Sequence, residues 1–264
     1  MAMEFINTQL ENGIYTISLN RPKKLNSFNR QMGHELQSAC SVAESNPEIR
    51  CILLTAEGKA FCAGQDLGEV VKRSQEEDDY ELGDTVRETY NPVIKAIRRI
   101  EKPVVCVVNG IAAGAGANIA LACDIVCAVD HSEFVLSFSK IGLVPDSGGT
   151  FFLPKLVGLP KATAMAFLDE KISAMKATEM GLIYNCYKPE YLIVEAYQIC
   201  EKLASMPTRG FGLTKRAFNQ AFSNTLDEHL DMEADLQSDA GKTYDYKEGV
   251  QAFLEKREPK FKGE

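Results

Sequence analysis

The spacing of apolar residues in the first half of the chain indicates alternating strands and helices. Residues 14–19 alternate apolar and polar side chains, a period of two that predicts a half-buried strand. Continuous apolar runs at 51–55 and 104–108 predict strands buried on both faces. Between 29 and 44 the apolar residues recur at helical spacing, which predicts an amphipathic helix. This pattern predicts an α/β fold with a mostly parallel sheet covered by helices.

The second half of the chain has a different pattern. From Pro160 onward the spacing is almost wholly helical, so we expect an α/β core over residues 1–200 and a C-terminal helical region over 201–264. Residues 69–84 are polar and acidic, with Glu76, Glu77, Asp78 and Asp79 at their centre. They predict a mobile surface loop, although such loops also cover binding sites.

Composition excludes several classes of function. The net charge of −8 argues against a nucleic-acid partner, which usually needs a basic surface. No apolar stretch reaches the roughly 20 residues that span a bilayer, and the first residues do not resemble a secretory signal. Four of the eight cysteines, Cys51, Cys106, Cys123 and Cys127, lie in apolar runs and the three histidines are scattered. We therefore expect buried thiols, no metal site and a reducing, cytoplasmic location.

Two glycine-bearing segments and one aspartate carry the candidate chemistry. Residues 61–67 and 110–118 each follow an apolar run, and glycine there lets backbone N–H groups approach a ligand. Residues 110–118 do not match the dinucleotide fingerprint, because Ile119 stands where its third glycine should be. With Asp146, the two segments indicate stabilisation of an oxyanion beside one acid–base group. The alternatives are tight packing at 110–118, an ordinary strand-to-loop junction at 61–67, and a turn residue at Asp146.

Taken in order, several motifs resemble the crotonase (enoyl-CoA hydratase/isomerase) superfamily over nearly the whole chain. Three further stretches are similar to the branch that isomerises ring-epoxide acyl-CoA esters. The family motifs are Asn20-Arg21-Pro22, Leu25-Asn26-Ser27, Phe61-Cys62-Ala63-Gly64-Gln65-Asp66-Leu67, Asn109 to Gly116, Cys123-Asp124 and Leu143-Val144-Pro145; the further stretches are Tyr90-Asn91-Pro92, Phe138 to Asp146 and Tyr246 to Val250.

The resemblance implies a fold and a set of site residues. It implies a spiral core of repeated ββα units with a C-terminal helical region that drives trimer assembly, as a homotrimer or a dimer of trimers. The oxyanion hole would be formed by the N–H groups of Gln65 and Ala115. The acyl-CoA would be bound by Lys24, Leu25, Ala63, Gly64, Asp66, Leu67, Asn118, Phe253 and Lys256, the last two often from a neighbouring subunit.

The departures from the family pattern favour an isomerase. The hydratases hold a water between two glutamates, and here the resemblance places Asn118 and Phe138 at those positions. Neither side chain is a general base at neutral pH, whereas Asp146 stands where the isomerases place a lone carboxylate. We therefore expect acyl-CoA isomerisation, of a ring epoxide or of a 3-enoyl to a 2-enoyl ester, without metal or redox cofactor.

Several alternatives remain open from the sequence. They are a general fatty-acid enoyl-CoA isomerase or hydratase, a non-catalytic acyl-CoA-binding protein, and an RNA-binding member of the superfamily. Ser147 does not lie in a nucleophile motif, Cys62 is better explained as a buried thiol, and Asp66 can also serve as a loop cap.

Overall fold

The computed structural model describes residues 3–76 and 78–264, so Met1, Ala2 and Glu77 lie outside it. Over that part of the chain, strands and helices alternate through the first two thirds and helices dominate the last third. The strands are β1 (Ile6–Glu11), β2 (Ile14–Leu19), β3 (Cys51–Ala56), β4 (Ala60–Cys62), β5 (Val104–Val108), β6 (Ile111–Ala113), β7 (Ile125–Val129), β8 (Glu133–Val135), β9 (Ile172–Ser173) and β10 (Asn185–Tyr187). The helices are α1 (Arg30–Ser45), α2 (Leu67–Glu76), α3 (Leu82–Thr85), α4 (Asn91–Arg99), α5 (Ala115–Leu121), α6 (Gly149–Val157), α7 (Leu159–Leu168), α8 (Ala174–Glu179), α9 (Pro189–Ser205), α10 (Thr208–Gln220), α11 (Leu226–Ala240) and α12 (Tyr244–Glu255).

The larger sheet has the order β1-β2-β3-β5-β7-β10, and only the β1–β2 pair is antiparallel. The prediction of a mostly parallel sheet is therefore confirmed. The strands predicted from residues 14–19, 51–55 and 104–108 are β2, β3 and β5, and the helix predicted from 29–44 is α1.

A second sheet has the order β4-β6-β8-β9. Its strands β4, β6 and β8 each follow a strand of the larger sheet in the chain. After β3, β5 and β7, a short turn leads the chain into β4, β6 and β8, which pair with one another in parallel. This repetition of paired strands is the spiral core that the sequence resemblance implied. As a result, the segments that follow β4 and β6 emerge side by side.

The central strands β3 and β5 of the larger sheet are apolar on both faces because each face packs against helices. Ile52, Leu54 and Cys106 point into the main core with α1 and α4, whereas Leu53 and Val105 point to the opposite face. There they meet the apolar stripe of α9, formed by Leu192, Ala196 and Cys200. Side chains of one strand alternate between faces, so continuous apolar runs supply both cores.

The structure corrects two expectations. The segment 69–84 lies at the surface as predicted, but most of its described residues belong to the helices α2 and α3 rather than to an irregular loop. Its polarity reflects an exposed helix, on which Lys72 and Glu76 form an ion pair one turn apart. After Pro160 the chain is not wholly helical, because β9 and β10 extend the two sheets. The division at residue 200 stays a prediction; α9 runs through it.

None of the helices over residues 3–76 and 78–264 is long and apolar enough to cross a membrane.

The short helix α5 is buried at every position, and its close fit generates a prediction. A β-carbon placed on Gly116 would lie 2.5 Å from the Cys62 Cβ and 2.8 Å from the Cys62 carbonyl oxygen. We expect Gly116→Ala to lower the free energy of unfolding by about 1–3 kcal/mol, because the helix must move away from β4.

The matched control is Gly210→Ala on α10, where the added carbon meets nothing closer than 3.9 Å. It should leave stability unchanged or raise it by up to about 1 kcal/mol, since alanine favours helix over glycine. Urea unfolding of both variants measures the difference; equal stabilities would contradict the packing described for α5.

Candidate active site

The loop after β4 presents one backbone N–H group to a cleft. Gly64 has a φ of +89°, which turns the chain sharply after Cys62. On either side of Gln65, the Gly64 carbonyl accepts the Phe28 N–H at 2.7 Å and the Asp66 N–H donates to the Phe28 carbonyl at 2.8 Å. Within the described chain the Gln65 N–H donates to no protein acceptor, so it is free to bind a ligand.

A second backbone donor lies at the beginning of α5. Gly114 precedes the helix with φ 53° and ψ −127°, a conformation that is essentially restricted to glycine. The next residue, Ala115, begins the helix, and its N–H is one of the amides that no helical carbonyl can satisfy. It is also without a protein acceptor among the described residues.

These two donor segments are in direct contact. A β-carbon on Gly64 would lie 3.1 Å from the Ala113 carbonyl oxygen and 3.7 Å from the Gly114 Cα. Only a residue without a side chain allows the two backbones to approach this closely. The structure therefore brings the N–H groups that follow Gly64 and Gly114 to one place.

Asp146 is held in a tight turn between β8 and α6. The Gly149 N–H donates to the Asp146 carbonyl at 2.8 Å, and both intervening residues have positive φ, 50° for Ser147 and 77° for Gly148. The Ser147 hydroxyl, which is buried, donates to Asp146 Oδ1 at 2.8 Å. Burial raises the pKa of the Asp146 carboxyl above its ordinary value, and the Ser147 hydrogen bond opposes that rise.

Asn118 connects Asp146 to the helix that carries Ala115. Its side-chain Nδ2 donates to the backbone carbonyl of Asp146 at 2.9 Å. Gly149 packs directly against the amide, because a β-carbon there would clash with the Asn118 Nδ2. Asn118 is fully buried, and its Oδ1 has no hydrogen-bond partner among the described residues. One turn of α5 thus links the second backbone donor to the backbone of Asp146.

The other position of the hydratase glutamate pair is occupied by an apolar ring. Phe138 is buried, and its Cζ would lie 3.9 Å from a β-carbon on Gly114. The ring therefore borders the second donor segment, and a carboxylate is absent from this position.

Tyr90 is a site residue that the sequence indicated only as part of a motif. Tyr90 ends a π-helical turn before α4, and its ring centroid lies 5.9 Å from that of Phe28. Its pKa is raised well above the ordinary value, first by burial and then by the charge of Asp146. Such π-turns are frequent at functional sites. The sequence signal that could have found it is a large aromatic side chain at an apolar helical position beside Pro92.

Four of the residues expected near the CoA, Lys24, Leu25, Ala63 and Leu67, lie next to the first donor. The Leu25 carbonyl accepts the Ala63 N–H at 2.9 Å, which joins the Lys24–Leu25 turn to the end of β4. Leu25 and Leu67 are exposed large apolar side chains.

Asp66 has a structural role that the sequence offered as an alternative. Its Oδ1 accepts the Gly68 N–H at 3.1 Å at the start of α2, and its Oδ2 pairs with Arg21 at 3.0 Å. Burial alone would raise the pKa of Asp66, but the hydrogen bond and charge of Arg21 outweigh it and hold the pKa below its usual range. Asp66 therefore fixes the loop that carries Gln65.

Phe253 and Lys256 are not brought to this site within one chain. Phe253 lies on α12 in a groove of about 450 Å³ that is bordered by Pro207 and Phe261, and its side chain is 84% exposed. Lys256 ends the same helix in the left-handed conformation.

Comparisons with known proteins agree with this geometry. Residues 9–264 match the model of the enoyl-CoA hydratase/isomerase family, and the chain belongs to that family, also called the crotonase family. Its members act on acyl-CoA thioesters, and this protein is an enzyme of that class.

Among curated relatives, the chain is 47% identical over 262 residues to the 1,2-epoxyphenylacetyl-CoA isomerase of Escherichia coli (strain K12), covering 99% of each chain. It is 36% identical over 254 residues to the trans-2-decenoyl-[acyl-carrier-protein] isomerase of Streptococcus mutans, covering 96% of each. Among solved structures, an enoyl-CoA hydratase from Bacillus anthracis superposes with a TM-score of 0.90 at 32% identity, covering 99% of this chain and 100% of that one. These relatives include both isomerases and hydratases, so the choice between them depends on the site.

Proposed function

We propose that the protein isomerises an acyl-CoA thioester, with 1,2-epoxyphenylacetyl-CoA as the substrate. The observation that carries the proposal is the carboxylate of Asp146, whose backbone is linked through Asn118 to the helix of a free backbone donor, with Asn118 and Phe138 where a hydratase needs acids. The high identity to the Escherichia coli isomerase over both whole chains supports the choice of acyl group.

In the proposed mechanism, the thioester carbonyl accepts hydrogen bonds from the Gln65 and Ala115 N–H groups. These donors stabilise the negative charge that develops on the oxygen when a proton leaves the neighbouring carbon, and losing one such donor typically raises the barrier by about 3–4 kcal/mol. Asp146 accepts that proton as the general base and returns it to another carbon. In this mechanism Asn118 fixes the position of the base relative to the donors.

The same proton transfer serves two substrates. For the ring epoxide, the proton leaves the carbon between the ring and the thioester carbonyl, and a double bond forms there. The carbon–carbon bond of the epoxide opens, which expands the ring to an oxepin. The proton then returns to a ring carbon. For a 3-enoyl ester, removal at C2 and return at C4 moves the double bond to the 2-position. Both reactions only rearrange atoms, so the proposal includes no metal or redox cofactor. The Streptococcus mutans relative, named as a trans-2-decenoyl-[acyl-carrier-protein] isomerase, favours the second activity as an additional one.

The first prediction from this mechanism concerns Asp146. Asp146→Asn should reduce isomerase turnover by about 10²–10⁴-fold, because the amide cannot accept the proton, while the affinity for a non-reactive acyl-CoA stays within a few-fold of wild type. Because burial raises the pKa of Asp146, wild-type kcat/KM should fall as the pH drops through that raised value, and the fall begins at a higher pH than for an ordinary aspartate. Turnover measured from pH 4 to 8, beside calorimetric binding, checks both statements. Near-normal turnover in the variant would remove Asp146 from the mechanism.

Hydration provides the second prediction. Crotonyl-CoA should be hydrated far more slowly than the epoxide or a 3-enoyl ester is isomerised, because a second carboxylate to activate water is missing at Asn118 and Phe138. Absorbance at the thioester-conjugated double bond follows the reaction, with 3-hexenoyl-CoA and epoxyphenylacetyl-CoA as parallel substrates. Comparable rates for hydration and isomerisation would contradict the isomerase assignment.

The third prediction concerns α12. We propose that the protein assembles as a homotrimer or a dimer of trimers and that α12 contributes Phe253 and Lys256 to the CoA site of a neighbouring subunit. The high exposure of Phe253 and Leu254 in the single chain supports this placement. Phe253→Ala should weaken acyl-CoA binding by about 1.5–3 kcal/mol, because an aromatic side chain loses its buried contact, and more than Lys256→Ala does.

Calorimetry with a non-reactive acyl-CoA measures both variants, and light scattering measures the assembly. A monomeric wild type, or unaltered affinity in both variants, would separate α12 from the site.

A cytoplasmic location and the lack of a nucleic-acid partner are part of the same proposal, supported by the free cysteines and the net charge of −8.

A further inference from the structure

Ser147 has a position that the proposed mechanism does not use. It is only 1% exposed and has a φ of 50°, an unfavourable conformation for a residue with a side chain. Its hydroxyl donates to Asp146 Oδ1 at 2.8 Å, while Asp146 Oδ2 accepts from no protein group among the described residues. The hydrogen bond therefore distinguishes the two carboxylate oxygens.

Few other groups around Asp146 could bind its carboxylate and distinguish the two oxygens in this way. Tyr90 is the titratable side chain that interacts with it from the turn before α4, and its raised pKa keeps it neutral in the working range. From α5 the facing side chain is the neutral Asn118, which binds the carbonyl and not the carboxylate. On the segment leading to the turn, Lys140 is paired with Asp169, and on α6 Lys155 lies over the Phe151 ring.

We propose that Ser147 is a positioning residue for the base: its hydroxyl fixes Oδ1, leaves Oδ2 to face the substrate, and favours the ionised form of the carboxylate. A donor to the ionised form favours ionisation, whereas burial disfavours it. Without the hydroxyl, Asp146 would take up a proton at a higher pH and a smaller share of the enzyme would hold a competent base. The catalytic part of this inference rests on the proposed role of Asp146; the hydrogen bond and its effect on the carboxylate do not.

Two substitutions separate this role from folding. Ser147→Ala removes the hydroxyl and retains the strained φ, whereas Ser147→Gly removes the hydroxyl and relieves the strain. The matched control is Ser132→Ala. Ser132 is equally buried, and its hydroxyl has no hydrogen-bond partner among the described residues.

Two titrations of each folded variant give the readout. The first follows the Asp146 carboxyl carbon by ¹³C NMR, identified by its absence in Asp146→Asn, and needs no turnover. The second is the acidic limb of kcat/KM with epoxyphenylacetyl-CoA. In Ser147→Ala and Ser147→Gly we expect the midpoints of the NMR titration and of the acidic kcat/KM limb to rise by about one pH unit. At pH values well below the midpoint this corresponds to roughly a tenfold loss of kcat/KM. In Ser132→Ala both midpoints should stay unchanged.

The outcomes are distinct. An unchanged or lowered NMR midpoint in both Ser147 variants overturns the inference, and if Ser147→Ala does not fold, Ser147→Gly decides alone. A raised NMR midpoint with an unmoved kinetic limb supports the effect of Ser147 on the carboxylate but shows that Asp146 is not the base, so that the proposed function fails instead. A midpoint that rises equally in Ser132→Ala also overturns the inference, because the effect would then not depend on the hydrogen bond.

Discussion

The contact between two glycine backbones, Gly64 after β4 and Gly114 before α5, is the constraint on which the site depends. Both residues have positive φ, and a β-carbon on either would lie within 4 Å of the other's Cα. The parallel pairing of β4 with β6 brings the segments together, and the missing side chains allow them to touch. Because of this contact, N–H groups that are distant in sequence converge, and the conformations of both loops are fixed before a substrate binds.

The same region combines stabilising and destabilising features. Asn118 leaves one buried oxygen without a protein partner, Asp146 is a carboxyl whose burial raises its pKa, and Ser147 has an unfavourable φ. Each of these features lowers the free energy of unfolding relative to an apolar or glycine alternative. They occur together, in contact with one another, beside the free N–H groups. Unfavourable features concentrated in this way are typical of a site in which function, rather than stability, determines the residues.

Much of the fold could be predicted from the sequence, because β2 and α1 have apolar patterns of the correct period and β3 and β5 are continuous apolar runs. The helix α2 was mistaken for a loop since most residues from 69 to 84 are polar, and polarity by itself does not exclude a helix. The short strands β9 and β10 were missed because two or three residues show no period; they form only where a neighbouring strand offers hydrogen bonds. Within the site, the sequence indicated Gln65, Ala115 and Asp146 through motifs. It could not indicate the contact of Ser147 with Asp146 Oδ1, which depends on the conformation of one turn, or the placement of Tyr90, which depends on a π-turn in a helix.

The complete burial of α5 also affects how this enzyme can change over evolution. Every residue of that helix is enclosed by neighbours, so nearly any substitution there disturbs the donors and the base together. By contrast, Ile141, Leu143 and Val144 lie just before Asp146 in the chain and are exposed. A lineage could therefore vary the surface next to the carboxylate while the groups proposed to transfer the proton stay fixed. Substrate preference and proton chemistry would then be inherited as separable traits, and relatives that share the donors need not share a substrate.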